Sequence, residues 1–401
     1  MEKVKMGIIG LGCRGHGLMK DIILECGKAE VTVVCDVYED RCEKAAETVY
    51  EKTGRKPQQT TDYHDVLDKS KVDCVLITTS WQTHIPIAIE TLRAGVALAL
   101  EVGNAYSIRQ CWELVRAWEE THTPFMFMEN CNYGRYELMA LNMKNMGIFG
   151  DIIHCAGGYH HFLAEEICFG RENRHYRLDN YLKRNCENYP THELGPIARM
   201  LDINYGNRML SLTATASKSV ALHEYLKNKK ADDSVLLNSH FNQGDVVSTA
   251  IKCANGETIA LTLDTCAPGF YNRGFTVIGT KCRYDEITNS IFFADDTELE
   301  FSWKKEYNNV DTKYIEKYEH PIWQKYQKDG VQGSHDGMDW LEFNEFFDRL
   351  IEGKPHRIDV YDAASWMSIG CLTEQSIALG GAPVAIPDFT DGKWITRKTE
   401  D

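Results

Sequence analysis

Met6-Gly7-Ile8-Ile9-Gly10-Leu11-Gly12-Cys13-Arg14-Gly15 is the stretch whose reading decides the fold. A short apolar run reads as a strand, the glycines at 10, 12 and 15 form GxGxxG, and a helical pattern follows over Gly15–Glu25. Glycine is common, so the spacing alone says little. Its context says more, because Asp36 closes the next apolar run, Val31–Cys35. Gly10 permits the tight turn, Gly12 removes a Cβ that would strike a pyrophosphate, and Gly15 lets the helix pack closely. Gly10, Gly12, Cys13, Arg14 and Gly15 therefore form the expected phosphate-facing loop, with a helix N-terminus aimed at the negative charge. Asp36 is expected to accept hydrogen bonds from ribose hydroxyls and to repel a 2′-phosphate, which favours NAD over NADP. Arg14 is a countersignal, since an arginine here could hold a phosphate.

Working outward, strands are expected at Met6–Ile9, Val31–Cys35, Cys74–Ile77, Val96–Leu100 and Phe125–Met128. Helical stretches lie between them at Asp40–Thr53, Tyr63–Asp68, Ile85–Ala94 and Ile108–Thr121. Alternation of this kind is the signature of a parallel sheet. After Met128 the rhythm changes. A helix over Glu137–Met146 is followed by strands at Ile152–Gly158, Leu210–Ala216, Val246–Cys253, Thr258–Asp264, Phe275–Ile278 and Ser290–Phe293, without intervening helices of the first kind. Asn255-Gly256 marks a tight hairpin, since both residues tolerate positive φ. Amphipathic helices near Asp339–Ile351 and Tyr361–Leu379 close the chain. The expected architecture is an α/β Rossmann domain with a parallel sheet over residues 1–129. An α+β domain with a large open, mainly antiparallel sheet follows over 130–401.

Bulk properties narrow the partners. At 401 residues, 43% hydrophobic and 26% charged, the chain can bury a sizeable core in two domains. A formal net charge of −15 argues against nucleic acid or an anionic membrane surface. No apolar run approaches the roughly 18–20 residues that span a bilayer. Fourteen cysteines stand singly with no CxxC pair, which reads as buried thiols in the reducing cytoplasm. The N-terminal residues run straight into a strand, with no room for a signal peptide.

Other motifs carry a family resemblance over the whole chain. Thr83-His84 ahead of a helix, Ala94-Gly95 before a strand and Glu101-Val102-Gly103 after it resemble the glucose–fructose oxidoreductase and inositol dehydrogenase family. Most of its members carry Glu-Lys-Pro at the last position, with the lysine assisting proton transfer. Val102 replaces that lysine here. A narrower resemblance accounts for the change. Met128-Glu129-Asn130-Cys131, Tyr189-Pro190-Thr191-His192, Gly337-Met338-Asp339, Val360-Tyr361-Asp362 and Ile386-Pro387-Asp388 are similar to glycoside hydrolase family 109. One departure is Glu193, where that family usually has glycine.

This resemblance implies an NAD⁺-dependent glycosidase acting on an α-linked sugar, N-acetylgalactosaminide first, through transient oxidation at C3, elimination, water addition and re-reduction. His192 is then the expected base for the C3 hydroxyl, because an unshifted imidazole titrates near neutrality. Tyr189 and Tyr271 are candidates for C2 proton removal or leaving-group protonation. Glu101, with His84 and Asn130 similarly placed, is expected to face the nicotinamide ribose. Adjacent His160 and His161 in a strand point to opposite faces, so they do not suit one ion, and no metal is required. The basic run from Arg171 to Arg184, with Arg177 inside it, reads as a solvated loop or as a site for an anionic sugar. A sugar or polyol dehydrogenase and a non-catalytic NAD-binding sensor are the alternatives. An open sheet face implies a homo-oligomer, a dimer or tetramer.

Overall fold

The apolar runs of the first third line up side by side. The computed structural model describes residues 3–295, 307–333 and 335–399. In it, β1 (Val4–Ile9), β2 (Ala29–Cys35), β3 (Gln58–Thr60), β4 (Cys74–Ile77), β5 (Ala97–Glu101) and β6 (Phe125–Met128) form one sheet in the order β3-β2-β1-β4-β5-β6. All its pairings are parallel. β4, β5 and β6 are buried along their whole length, which explains their unbroken apolar character. Helices α1 (Cys13–Leu18), α2 (Glu39–Thr53), α3 (Trp81–Ala94) and α4 (Ile108–Thr121) connect them. The strand order reverses between β1 and β4, so a crevice opens at the carboxyl ends where Gly10 and Glu101 emerge.

Three local readings change. Beyond Leu18 the first helix continues as a π turn over Met19–Ile23. Tyr63–Val66 is a single 3₁₀ turn rather than a helix reaching Asp68. β3 was not expected, because Gln58-Gln59-Thr60 has no apolar pattern; it joins the sheet edge through its backbone alone.

The second sheet contains β7 (Ile152–His160), β8 (Met209–Ala216), β9 (Val246–Cys253), β10 (Thr258–Asp264), β11 (Thr276–Gly279), β12 (Cys282–Asp285), β13 (Ser290–Phe293) and β14 (Val384–Ala385). Its order is β13-β12-β11-β7-β10-β9-β8-β14. Only β7 and β10 run parallel, and the other pairs are antiparallel. β12 and β14 escaped the sequence reading, the first for its charged residues and the second for its two-residue length. At the expected hairpin only Gly256 takes a positive φ, +108°, in a three-residue turn closed by Cys253 N–H to Glu257 O.

Along β9, Val247, Thr249, Ile251 and Cys253 are buried while Ser248, Ala250 and Lys252 are exposed. One sheet face is thus packed and the other open. On the packed side the helix Thr191–Met200 crosses β7 closely. A Cβ on Gly157 would sit 3.1 Å from Ile197 Cδ1 and 3.2 Å from Glu193 Cβ. Tyr159 lies two residues further along the same strand face.

The chain folds into two units, and the first is discontinuous. Residues through Tyr133 are joined by Gly330–Met367, while Gly134–Asp329 and Ser368–Thr399 make the second. The expected boundary at 129/130 lies near the first crossing, but it contained no return of the chain. The returning segment carries the helix Met338–Glu352. Among the described residues no helix is long and apolar enough to cross a membrane. The fourteen cysteines are all free, and most are buried.

Candidate active site

In the first unit the glycine loop is built as its spacing requires. Gly10 has φ +98°, and a Cβ there would lie 2.6 Å from the Thr78 carbonyl carbon. Gly15 is packed harder still, with an added Cβ 2.1 Å from Gly10 O and 2.4 Å from Thr78 Oγ1. Gly12 differs. The nearest protein atom to its Cβ position is Arg41 Nη1 at 3.8 Å, so open space lies above the start of α1. That is the cradle a pyrophosphate needs.

Asp36 is buried and holds this loop in place. Its Oδ2 accepts the Leu11 N–H at 2.7 Å and its Oδ1 accepts the Tyr38 N–H at 3.0 Å. Arg41 Nη1 lies 3.6 Å from Asp36 Oδ2 and stacks over Tyr38. Cys13 is exposed at the first turn.

Arg14 is held by two carboxylates. Its Nε donates to Glu101 Oε1 at 2.8 Å, and its two terminal nitrogens grip Asp339 at 2.8 and 2.9 Å. Asn130 Nδ2 donates to Asp339 Oδ1 at 2.8 Å, and His335 Nδ1 meets Oδ2 at 2.8 Å. Arg14 and Asn130, both expected to touch cofactor, meet at the buried Asp339 carboxylate, and Glu101 joins them through Arg14. Burial alone would raise the pKa of Asp339, but the His335 hydrogen bond and Arg14 outweigh it and hold the carboxyl far below its usual range. Beside it Glu342 is wholly buried, and burial together with Glu101 and Asp339 pushes its carboxyl well above the usual range. Sequence reasoning gave no role to Asp339 or Glu342; the signal available was the Gly337-Met338-Asp339 motif.

His84 is an interior residue. It lies against Gly103, where a Cβ would come within 2.8 Å of its Nδ1 and 3.0 Å of Trp81 Cδ1. Burial pushes its pKa down to about 4, so the ring is neutral. Glycine at position 103 has a physical reason here, since the imidazole occupies the space a larger residue would need.

The second unit gathers the remaining expected residues around Tyr159. The Tyr159 ring centroid is 4.6 Å from Tyr189, 5.6 Å from His192 and 6.3 Å from Tyr271. Tyr189 Oη and His192 Nε2 are hydrogen-bonded at 3.3 Å. Arg177 lies over the Tyr189 face, 4.9 Å from its centroid, and its Nε pairs with Glu166 at 2.6 Å. Tyr271 is half exposed, packs on His161 at 5.0 Å, and accepts from Arg273 Nη1 at 3.4 Å. Tyr159 was missed because one tyrosine in a strand carries no signal.

His160 and His161 take separate partners. His161 Nδ1 meets Tyr159 Oη at 2.9 Å, while His160 Nδ1 lies 3.9 Å from Asp264 Oδ2. The basic run from Arg171 to Arg184 is not a loop throughout, since Arg177–Lys183 is helical with Leu178 and Tyr181 buried. Its members take several partners, with His175 and Arg177 both reaching Glu166. Arg184 pairs with Glu374, Lys183 with Asp179, and Arg177 with Glu166, which leaves Arg177 as its one member shown against the aromatic cluster.

Comparison with known proteins agrees with both halves. Residues 4–128 match the oxidoreductase family, NAD-binding Rossmann fold, and residues 133–396 match the glycosyl hydrolase 109 C-terminal domain. The chain is 33% identical over 426 residues to a glycosyl hydrolase family 109 protein of Parabacteroides distasonis, spanning 99% of this chain and 89% of that one. An α-N-acetylgalactosaminidase of Tannerella forsythia is 33% identical over 418 residues, spanning 98% and 88%. Among solved structures, levoglucosan dehydrogenase in complex with NADH and levoglucosan superposes with a TM-score of 0.72 at 17% identity, over 96% of this chain and 100% of that one. Myo-inositol 2-dehydrogenase of Lactobacillus plantarum gives 0.68 at 15%, over 96% and 100%. At such identity the likeness carries the fold.

Proposed function

Since the chain belongs to glycosyl hydrolase family 109, and is a glycoside hydrolase on an NAD-binding oxidoreductase fold, we propose that it cleaves an α-linked N-acetylgalactosaminide or a related sugar by a redox-neutral route. The relative of Tannerella forsythia named α-N-acetylgalactosaminidase supports that sugar. The observation that carries the mechanism is the hydrogen-bonded Tyr189–His192 pair, set against Tyr159 with Tyr271 at its margin.

When bound, the nicotinamide supplies a reversible hydride acceptor for C3 of the sugar. His192 takes the C3 hydroxyl proton as hydride departs and gives it back at the end. The C3 ketone acidifies the hydrogen on C2, so a phenolate is a strong enough base to remove it. Tyr189 suits that task by its place, hydrogen-bonded to His192 with the Arg177 guanidinium over its ring. Tyr271, half exposed, suits protonation of the departing C1 oxygen and later activation of the incoming water. A carboxylate pair flanking the glycosidic bond is not needed. Gly12 leaves room for the pyrophosphate, Asp36 fixes the loop, and Arg14, tied to Asp339, holds Glu101, the residue that would meet the ribose.

Free thiols support a cytoplasmic place of work, and the open sheet face supports a homo-oligomer. The test is a chromogenic α-N-acetylgalactosaminide assay with simultaneous reading of NADH absorbance. Aglycone release without NADH accumulation is expected. Stoichiometric NADH with no aglycone would make the protein a sugar dehydrogenase, and nucleotide binding with no turnover on a sugar panel would make it a sensor.

A further inference from the structure

Arg273 has no part in the reaction above, yet it reaches one of the groups that does. Tyr271 is half exposed, and its Oη accepts from Arg273 Nη1 at 3.4 Å. The other terminal nitrogen of Arg273, Nη2, is engaged by Glu137 on the helix Arg135–Asn145. That ion pair is withdrawn from solvent, with side-chain exposures of 11% for Arg273 and 4% for Glu137. A guanidinium is a rigid planar fork, so a grip on one tip sets the direction of the other.

The backbone beneath is fixed as well. Asn272 and His160 exchange both main-chain hydrogen bonds at 3.1 Å, which pairs this segment with the end of β7. Residues two apart in a paired extended segment share a face, which sets Tyr271 and Arg273 side by side. The Arg273 N–H donates to Glu286 Oε1 at 3.4 Å, and its C=O accepts the Gly158 N–H. The Tyr271 ring meets His161 edge-on at 5.0 Å, and His161 is itself held by Tyr159 Oη at 2.9 Å.

We propose that Arg273 is a positioning residue, which holds the Tyr271 hydroxyl for its encounter with the C1 oxygen and stabilises the phenolate formed there. The inference rests on the reading of Tyr271 as the group that protonates the aglycone. A phenol oxygen that accepts a hydrogen bond from a cation keeps its own O–H for donation. In the elimination the C1–O bond breaks, its electron pair stays on the aglycone oxygen, and Tyr271 supplies the proton. The resulting phenolate gains from a charged donor already in place, since hydrogen bonds between ionised partners are the stronger ones. When water adds at C1 the phenolate takes a proton from it, and the phenol is restored. Glu137 is the anchor, because it pairs the withdrawn guanidinium and keeps it at the site.

How much an aglycone needs that proton depends on its own acidity. Nitrophenolate departs unaided, whereas methoxide does not. The experiment measures kcat and KM of the full-length protein with NAD on the para-nitrophenyl and methyl α-N-acetylgalactosaminides. Parent, R273M, Y271F and the double variant R273M/Y271F are compared. R273M should lose about tenfold to a hundredfold in kcat on the methyl glycoside, the worth of one charge-assisted hydrogen bond. On the nitrophenyl glycoside the loss should stay below about threefold, with KM little changed on both. In the Y271F background the same substitution should leave the ratio of the two rates unchanged, because Arg273 acts through that hydroxyl. Should the unpaired Glu137 prevent R273M from folding, R273M/E137M removes both ions together and is read in the same way. With Y271F selectively impaired on the methyl glycoside, three results would overturn the proposal alone: equal losses of R273M on both glycosides, a parental methyl-glycoside rate, or a selective loss that persists in Y271F. A Y271F variant that cleaves the methyl glycoside as the parent does would instead overturn the assignment of Tyr271, and the role of Arg273 with it.

Discussion

Alanine at Gly12 and alanine at Gly15 should fail in opposite ways. Gly15 lies within α1, where alanine gains about 1 kcal/mol of helix propensity. Against that, its Cβ would stand 2.1 Å from Gly10 O and 2.4 Å from Thr78 Oγ1. Those two oxygens are themselves joined by a 2.6 Å hydrogen bond, so neither can withdraw without breaking the turn. Overpacking of this kind costs about 3 kcal/mol or more, which leaves a net loss of roughly 2 kcal/mol. The melting temperature should then fall by about 4–8 °C. Gly12 caps α1 at φ −64° and ψ −173°, which alanine adopts freely, and nothing lies within 3.8 Å of its Cβ. Gly12→Ala should cost no more than about 0.5–1 kcal/mol, the preference for glycine over alanine at a cap. It should nevertheless weaken NAD binding at least tenfold, because the methyl group stands in the open cradle. Urea titration of the nucleotide-free protein and calorimetric NAD titration separate the two effects. Parental NAD affinity in Gly12→Ala would show that the pyrophosphate does not lie over this residue, and parental stability in Gly15→Ala would refute the packing argument.

Asp339→Ala removes a bidentate Arg14 pair together with the Asn130 and His335 contacts; with Arg14 partly exposed, the loss should be about 3 kcal/mol by chemical denaturation, and a double-mutant cycle with Arg14→Met should return a coupling above about 1 kcal/mol. His192→Ala should lower kcat for aglycone release by about a hundredfold or more while NAD titration is unchanged; a smaller loss would remove His192 from proton transfer. His84 and His356 are both held neutral by burial, with pKa values pushed down to about 4 from 6.5. The unfolded chain takes up protons on them first, so their contribution is complete above about pH 6.5, declines as pH falls, and is exhausted near pH 4. His84→Gln should flatten that decline in denaturation series across the same window.

Much of this was legible before any coordinates. GxGxxG followed by Asp36 located the nucleotide loop because each position answers a local steric or hydrogen-bonding demand. β9 and β10 could be bounded to the residue because alternating burial writes itself into the sequence. Polar Gln58–Thr60 and charged Cys282–Asp285 gave no such pattern, and backbone pairing at the sheet edge and in β12 made them strands. The helix from Arg177 to Lys183 was hidden by its charges, although Leu178 and Tyr181 anchor it.

By itself the sequence determined the run of the main elements and the parallel and mainly antiparallel character of the two sheets, because these follow from short-range periodicity and motif spacing. Only the tertiary structure decided where Arg14 points and that Asp339 returns from the far end of the chain to receive it. Those outcomes turn on burial: a carboxylate out of water must find a cation, a donor or a proton, and which one it finds depends on neighbours hundreds of residues away.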